Sequence, residues 1–164
     1  MNFQIRREER PEGGHVLHLT IARAAKLNSL DRATMTEIVA AMAEAADDPQ
    51  LRLAILRGEG ERAFVGGADI NELAALDSES ARDFITLVHY TCDAFRRLPV
   101  PVIARIDGYA LGAGLELAAA CDLRAASTVT CRHLGHPNSA TSPDITPLAH
   151  RSRNDNAISA VSNW

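Results

Sequence analysis

Cysteine is scarce in this chain, lysine is almost missing, and no long apolar run occurs. The three cysteines, Cys92, Cys121 and Cys131, are an odd number without paired spacing. That argues against a disulfide framework and for a reducing compartment. No stretch approaches the ~20 apolar residues that span a bilayer. The opening MNFQIRREERPEGG lacks the apolar core of a signal peptide. Lys26 is the single lysine among 17 basic residues, and 21 acids give a formal charge of −4. No basic face large enough for nucleic acid results. These absences predict a soluble, cytoplasmic protein with no nucleic-acid and no membrane partner. What is present is 164 residues at 46% apolar and 23% charged, enough for one packed domain and too apolar for whole-chain disorder.

The pattern along the chain alternates, and it contains no internal repeat. Val16 to Ile21 is β-rich and follows the turn-prone Pro11-Glu12-Gly13-Gly14, which predicts an N-terminal strand pair. Met35, Ile38, Val39 and Met42 form one helix stripe within 31–46, stopped by Asp47-Asp48-Pro49. Leu51 to Leu56 reads as a buried strand. Ala81, Phe84, Ile85, Val88, Cys92 and Phe95 mark a second helix over 79–97, with Ser78 as its N-cap and Pro99 and Pro101 beyond its end. Val102 to Ile106 is the next strand, and 115–121 another apolar helix. Strands alternating with helices predict an α/β layered fold. After Ser127 the character changes. Residues 98–127 hold 19 apolar residues in 30, whereas 128–164 hold 12 in 37, with 16 Ser, Thr, Asn and Pro. The reading is therefore a core over 1–127 and a divergent, irregular tail over 128–164.

Two glycine turns carry the chemical signal. Ala63-Phe64-Val65-Gly66-Gly67-Ala68-Asp69-Ile70 follows the 51–57 strand, and Asp107-Gly108-Tyr109-Ala110-Leu111-Gly112-Ala113-Gly114-Leu115-Glu116-Leu117 lies between a strand and a helix. Small residues let backbone approach a ligand, and a helix start presents unpaired N–H groups. Two such turns side by side could aim two donors at one developing oxyanion. Each turn taken alone is ordinary strand-to-helix punctuation. Neither ends in the Gly-Lys-Ser/Thr of a phosphate loop. Leu117 stands where a dinucleotide fingerprint needs its third glycine. Glu116, in the first turn of an apolar helix, either complements the helix dipole or, buried beside an apolar ligand, acts as a base with a raised pKa.

Taken in order, Ala25-Lys26-Leu27-Asn28-Ser29-Leu30, the 63–70 segment, Pro99 to Ala104, Gly108 to Leu117 and Cys121-Asp122-Leu123 resemble the crotonase superfamily of enoyl-CoA hydratases and isomerases over about residues 14–127. The resemblance implies a crotonase-like α/β fold: a stacked β-β-α superhelical core, incomplete at the C-terminus. It implies an acyl-CoA thioester as substrate, with coenzyme A entering as part of that substrate and no other cofactor. The thioester oxygen would be held by the N–H groups of Ala68 and Ala113. Ala25, Lys26 and Leu27 would lie along the CoA nucleotide, with the Lys26 ammonium available to a phosphate. Gly66, Gly67, Ala68, Asp69 and Ile70 would run beside pantetheine and adenine, and Gly112 with Ala113 would complete the binding turn. Glu116 matches the first of two hydratase glutamates, the one that activates water. A homo-oligomer, a trimer or dimer of trimers, is implied as well.

The family pattern breaks at its second glutamate. Asn138, in Leu134-Gly135-His136-Pro137-Asn138, stands in that place, displaced by two residues, and a neutral amide moves no proton. Hydration of a trans-2-enoyl-CoA is the leading reading, with double-bond isomerisation next to it. A catalytically silent CoA-binding or oligomerising fragment is the alternative, and a dinucleotide-binding domain a faint third. A truncated or frame-shifted reading of the gene and a divergent natural tail both account for residues beyond 127. Cys131, His133 and His136 match no structural zinc spacing, so no metal site is expected. His15, His18 and His89 fall in strand or helix patterns and read as structural, while Cys92 and Cys121 read as small buried residues.

Overall fold

The computed structural model describes residues 1–126. The tail over 128–164, with Asn138, Cys131, His133 and His136, lies outside the described residues. β1 (Phe3–Glu9) and β2 (His15–Ile21) pair antiparallel, from Phe3 opposite Ile21 to Glu9 opposite His15. Their connection turns at Gly13 and Gly14, both at positive φ. α1 (Arg32–Ala46) follows, capped by Asp31, whose carboxylate accepts from the Thr34 N–H. Of the expected stripe, Met35, Ile38 and Met42 are buried and Val39 is half-buried. β3 (Leu51–Gly58) then pairs parallel with β2, β5 (Val102–Ile106) with β3, and β7 (Leu123–Ala126) with β5. Among the described residues this gives a five-stranded sheet in the order β1-β2-β3-β5-β7.

The short strands β4 (Ala63–Val65) and β6 (Tyr109–Ala110) pair parallel in a separate two-stranded sheet. α2 (Ile70–Ala74) follows the first, and α4 (Ala113–Ala120) follows the second. α3 (Ser78–Arg96) packs between α1 and α4. Three expectations need correction here. The α3 cap is Asp77 rather than Ser78, because Asp77 closes a capping box with Ser80, each side chain meeting the other's backbone N–H. Ile85, placed on the buried stripe, is exposed; the stripe that packs is Phe84, Val88, Thr91, Cys92 and Phe95. α4 also begins at Ala113, two residues before the apolar run. One core joins the layers: Leu17, Leu19 and Ile21 of β2, Ala54 and Leu56 of β3, Met35 and Ile38 of α1, Phe84 and Val88 of α3, and Leu117 of α4. Burying such side chains stabilises by about 1.5–3 kcal/mol each, which fixes the small sheet against the large one. No helix among the described residues is long and apolar enough to cross a membrane.

Candidate active site

The β4–β6 pairing lays the two glycine turns side by side. The Leu111 N–H donates to the Val65 carbonyl at 3.1 Å, so the chain leaves both strands at the same level. Glycine is required at the approach. Gly67 sits at φ 108°, and a Cβ there would lie 3.2 Å from the Leu111 oxygen. Gly114 presses helix α4 on the end of β4, where a Cβ would fall 2.2 Å from the Val65 oxygen. Gly112, at φ 49°, starts α4 without a side-chain cap.

Both turns therefore end in a half-buried alanine with an open amide. In the first, Leu30 bridges Ala68 by donating to the Gly67 carbonyl and accepting from the Asp69 N–H, each at 2.8 Å. A parallel bridge uses the groups on either side of the bridged residue, so the N–H of Ala68 points away from Leu30. In the second, Ala113 is the first residue of α4, and its N–H has no intrahelical acceptor. Neither amide donates a hydrogen bond to any described residue. The partial positive charge of a helix start adds to the attraction of the second for an anion.

A network of side-chain ions holds the first turn. The Asp69 carboxylate, buried at 4% exposure, accepts from Arg23 at 2.9 Å, from Lys26 at 3.3 Å and from the Asn71 N–H at 3.0 Å. Arg23 also meets Asp31 at 2.7 Å and donates to the Ser29 carbonyl. Burial works to raise the Asp69 pKa, but the hydrogen bonds from Arg23 and Lys26 outweigh it and hold the carboxyl at about 2. Asp69 is thus ionised and turned inward, so what this segment offers a ligand is its backbone. Lys26, read as free for a phosphate, leans on Asp69 while its side chain stays half exposed.

The Ala25–Leu27 segment joins the same turn, since the Gly66 N–H donates to the Leu27 carbonyl at 2.8 Å. Leu27 and Asn28 both take left-handed backbone, at φ 54° and 55°. For leucine this costs about 1 kcal/mol, the kind of strain that a well-fixed site sustains. Asn28 is fully buried and fixes the strain in place. Its amide donates to the Ala63 and Glu59 carbonyls at 2.7 and 3.0 Å, and its oxygen accepts from the Arg23 N–H at 3.0 Å. Reading by residue type missed Arg23, because its acidic partners lie 8 and 46 positions away.

Glu116 stands on the first turn of α4, three residues past Ala113, and is exposed rather than buried. Its carboxylate makes no hydrogen bond or ion pair with any described residue. It opens on a groove of about 490 Å³ between α3 and α4. Ile70, Leu111 and Leu115 form exposed apolar ground around the two turns. Among the described residues no group of three or more His, Cys, Asp or Glu is placed to hold a metal.

The fold thus lays two glycine turns side by side, each ending in an alanine amide without an acceptor among the described residues, with the Glu116 carboxylate three residues past the second. The family model described as "Enoyl-CoA hydratase/isomerase" matches residues 12–137, and the chain belongs to that family. It is 38% identical over 115 residues to the "Short-chain-enoyl-CoA hydratase" of Clostridium acetobutylicum, covering 70% of this chain and 44% of that protein. It is 38% identical over 126 residues to the mitochondrial "Methylglutaconyl-CoA hydratase" of Homo sapiens, covering 77% and 37%. The crystal structure of an enoyl-CoA hydratase from Bacillus anthracis superposes with a TM-score of 0.71 at 35% identity, over 77% of this chain and 47% of that one. The fold is the crotonase fold, and the chain spans less than half the length of these relatives.

Proposed function

We propose that this chain binds an acyl-CoA thioester and adds water to a trans-2-enoyl-CoA. The observation that carries the reading is the pair of unpartnered amides, Ala68 and Ala113, on adjoining turns with an unpaired Glu116 one turn further on. The thioester oxygen accepts from both amides, which stabilises the enolate that forms when a nucleophile adds at the β-carbon. Glu116 takes the proton from water as the oxygen bonds to that carbon, and the double-bond electrons move to the thioester oxygen. The enolate then takes a proton at the α-carbon. The hydratase relatives support the substrate class, and the exposed side chains of Ile70, Leu111 and Leu115 give an acyl chain or a second subunit apolar ground. Self-association into trimers, a cytoplasmic setting and a place in fatty-acid chemistry complete the proposal.

Hydration of crotonyl-CoA, followed by loss of enoyl absorbance beside a CoA-affinity measurement, tests it. Turnover is expected, and Glu116→Gln lowers it by about a hundredfold or more with binding retained. A second reading, a catalytically silent CoA-binding fragment, is favoured by the exposure of Glu116, which no described residue orients. Binding without turnover selects that second reading.

A further inference from the structure

The groove that Glu116 opens on is lined from α3 by His89, Cys92, Asp93 and Arg96, spaced so that all four share one helical face, and from α4 by Glu116 and Ala119. Three of these groups are already committed. Asp93 and Arg96 pair with each other at 3.1 Å. Cys92 is buried, and burial foremost, with Glu116 and Asp93 adding to it against Arg96, pushes its thiol pKa up, so it stays neutral. His89 and Glu116 remain, both exposed, and neither side chain pairs with any described residue. The other two described histidines are engaged by acids: His15 lies 3.3 Å from Asp48, and His18 lies 2.9 Å from Glu8. His89 is thus the described imidazole left free, and it faces the groove of the proposed base. This departs from its reading as a structural helix residue.

Adding water across a double bond requires two proton transfers, one off the water and one onto the α-carbon. A carboxylate suits the first, and an imidazole, which can both carry and release a proton, serves the second. Resting on the hydratase reading above, we infer that His89 is the second proton-transfer group of this site, delivering the proton to the α-carbon. Glu116 accepts a proton as the water oxygen bonds to the β-carbon, and the double-bond pair moves onto the thioester oxygen held by Ala68 and Ala113. The imidazolium of His89 then gives its proton to the α-carbon, as the enolate pair forms the new C–H bond. One proton passing from Glu116 to the neutral imidazole restores both groups, and the sum is one water added. Ala113 and Glu116 are separated by about 4.5 Å of helix rise, so the groove that Glu116 and His89 line begins within one helical turn of the Ala113 amide.

The experiment compares the full chain with His89→Gln, which keeps size and polarity but carries no proton, and with His89→Ala assayed with and without added imidazole. The expected result with crotonyl-CoA is a kcat at least about tenfold lower in His89→Gln, KM and CoA affinity within about twofold, and partial recovery of His89→Ala by imidazole. A hydrating parent whose His89→Gln variant keeps kcat within about twofold overturns this assignment alone and leaves Glu116 as the single acid–base group. A loss confined to KM, or one that imidazole does not relieve, overturns it as well, since that marks a shape role. A parent that binds acyl-CoA yet hydrates nothing overturns the hydratase reading, and His89's role falls with it.

Discussion

The two turns that meet at the site are held by different physics. The 66–69 turn is fixed by charge: Arg23 and Lys26 converge on buried Asp69, with Arg23 reaching Asp31 as well. The 112–114 turn carries no such network. It is held by close backbone packing that only glycine permits, Gly114 against Val65 and Gly112 at a positive φ without a cap. One donor is thus placed by ion pairs and the other by the absence of side chains. Each has its own way to fail, although the proposed chemistry asks the same of both.

The comparison breaks most sharply at Arg23. Its guanidinium is buried against two carboxylates, so Arg23→Gln leaves Asp69 and Asp31 without their main partner. Removing one partner of a buried pair costs about 3–5 kcal/mol. A urea-unfolding midpoint well below that of the parent is expected, and an unchanged midpoint would place the strength of the first turn elsewhere. The steric turn answers to a different substitution. Gly114→Ala puts a methyl group 2.2 Å from the Val65 oxygen, and the backbone has to move. A loss of about 1–3 kcal/mol is expected from such overpacking, again read from urea unfolding, together with a fall in turnover as the Ala113 amide is displaced.

The smallest effect separates the two turns by pH. The Asp69 carboxyl is held at about 2 against an ordinary 3.8, so the folded state holds its proton less tightly than the unfolded chain. The resulting stability is present above pH 4 and is lost as pH falls toward 2. Asp69→Asn removes that contribution. Its unfolding free energy should vary less between pH 4 and 2 than the parent's, while Gly114→Ala keeps the parent's dependence. Equal acid slopes in the parent and Asp69→Asn would detach the charge network from the first turn.

The sequence showed the elements whose apolar spacing is local. α1 and α3 follow from stripes within single helices, and β5 from an apolar run interrupted only by Arg105. The end of α3 followed from Pro99 and Pro101, but its start was misplaced by one residue, because the Asp77–Ser80 box depends on which oxygen reaches which N–H. α4 began earlier than its apolar run, since Gly114 is a poor helix former that the close approach to Val65 nevertheless demands. The pairing of the two turns was anticipated from their motifs. The Arg23–Asp69–Asp31 network was not, because three residues far apart in the chain meet only once β2, α1 and the 66–69 turn have packed. The same holds for the meeting of His89 with Glu116: only Glu116 stood out in the sequence, and the two share a groove because α3 packs on α4.

The central claim is that the Ala68 and Ala113 amides donate to one oxygen. The most direct measurement is the carbonyl 13C shift of butyryl-CoA, labelled at the thioester carbon, bound to the full chain. The account predicts a downfield displacement on binding. Ala113→Pro, which lacks the amide hydrogen, should retain only part of it, as should Arg23→Gln with its loosened first turn. A carbonyl that binds at its free-solution shift, or one equally displaced in the parent and in Ala113→Pro, would contradict the account.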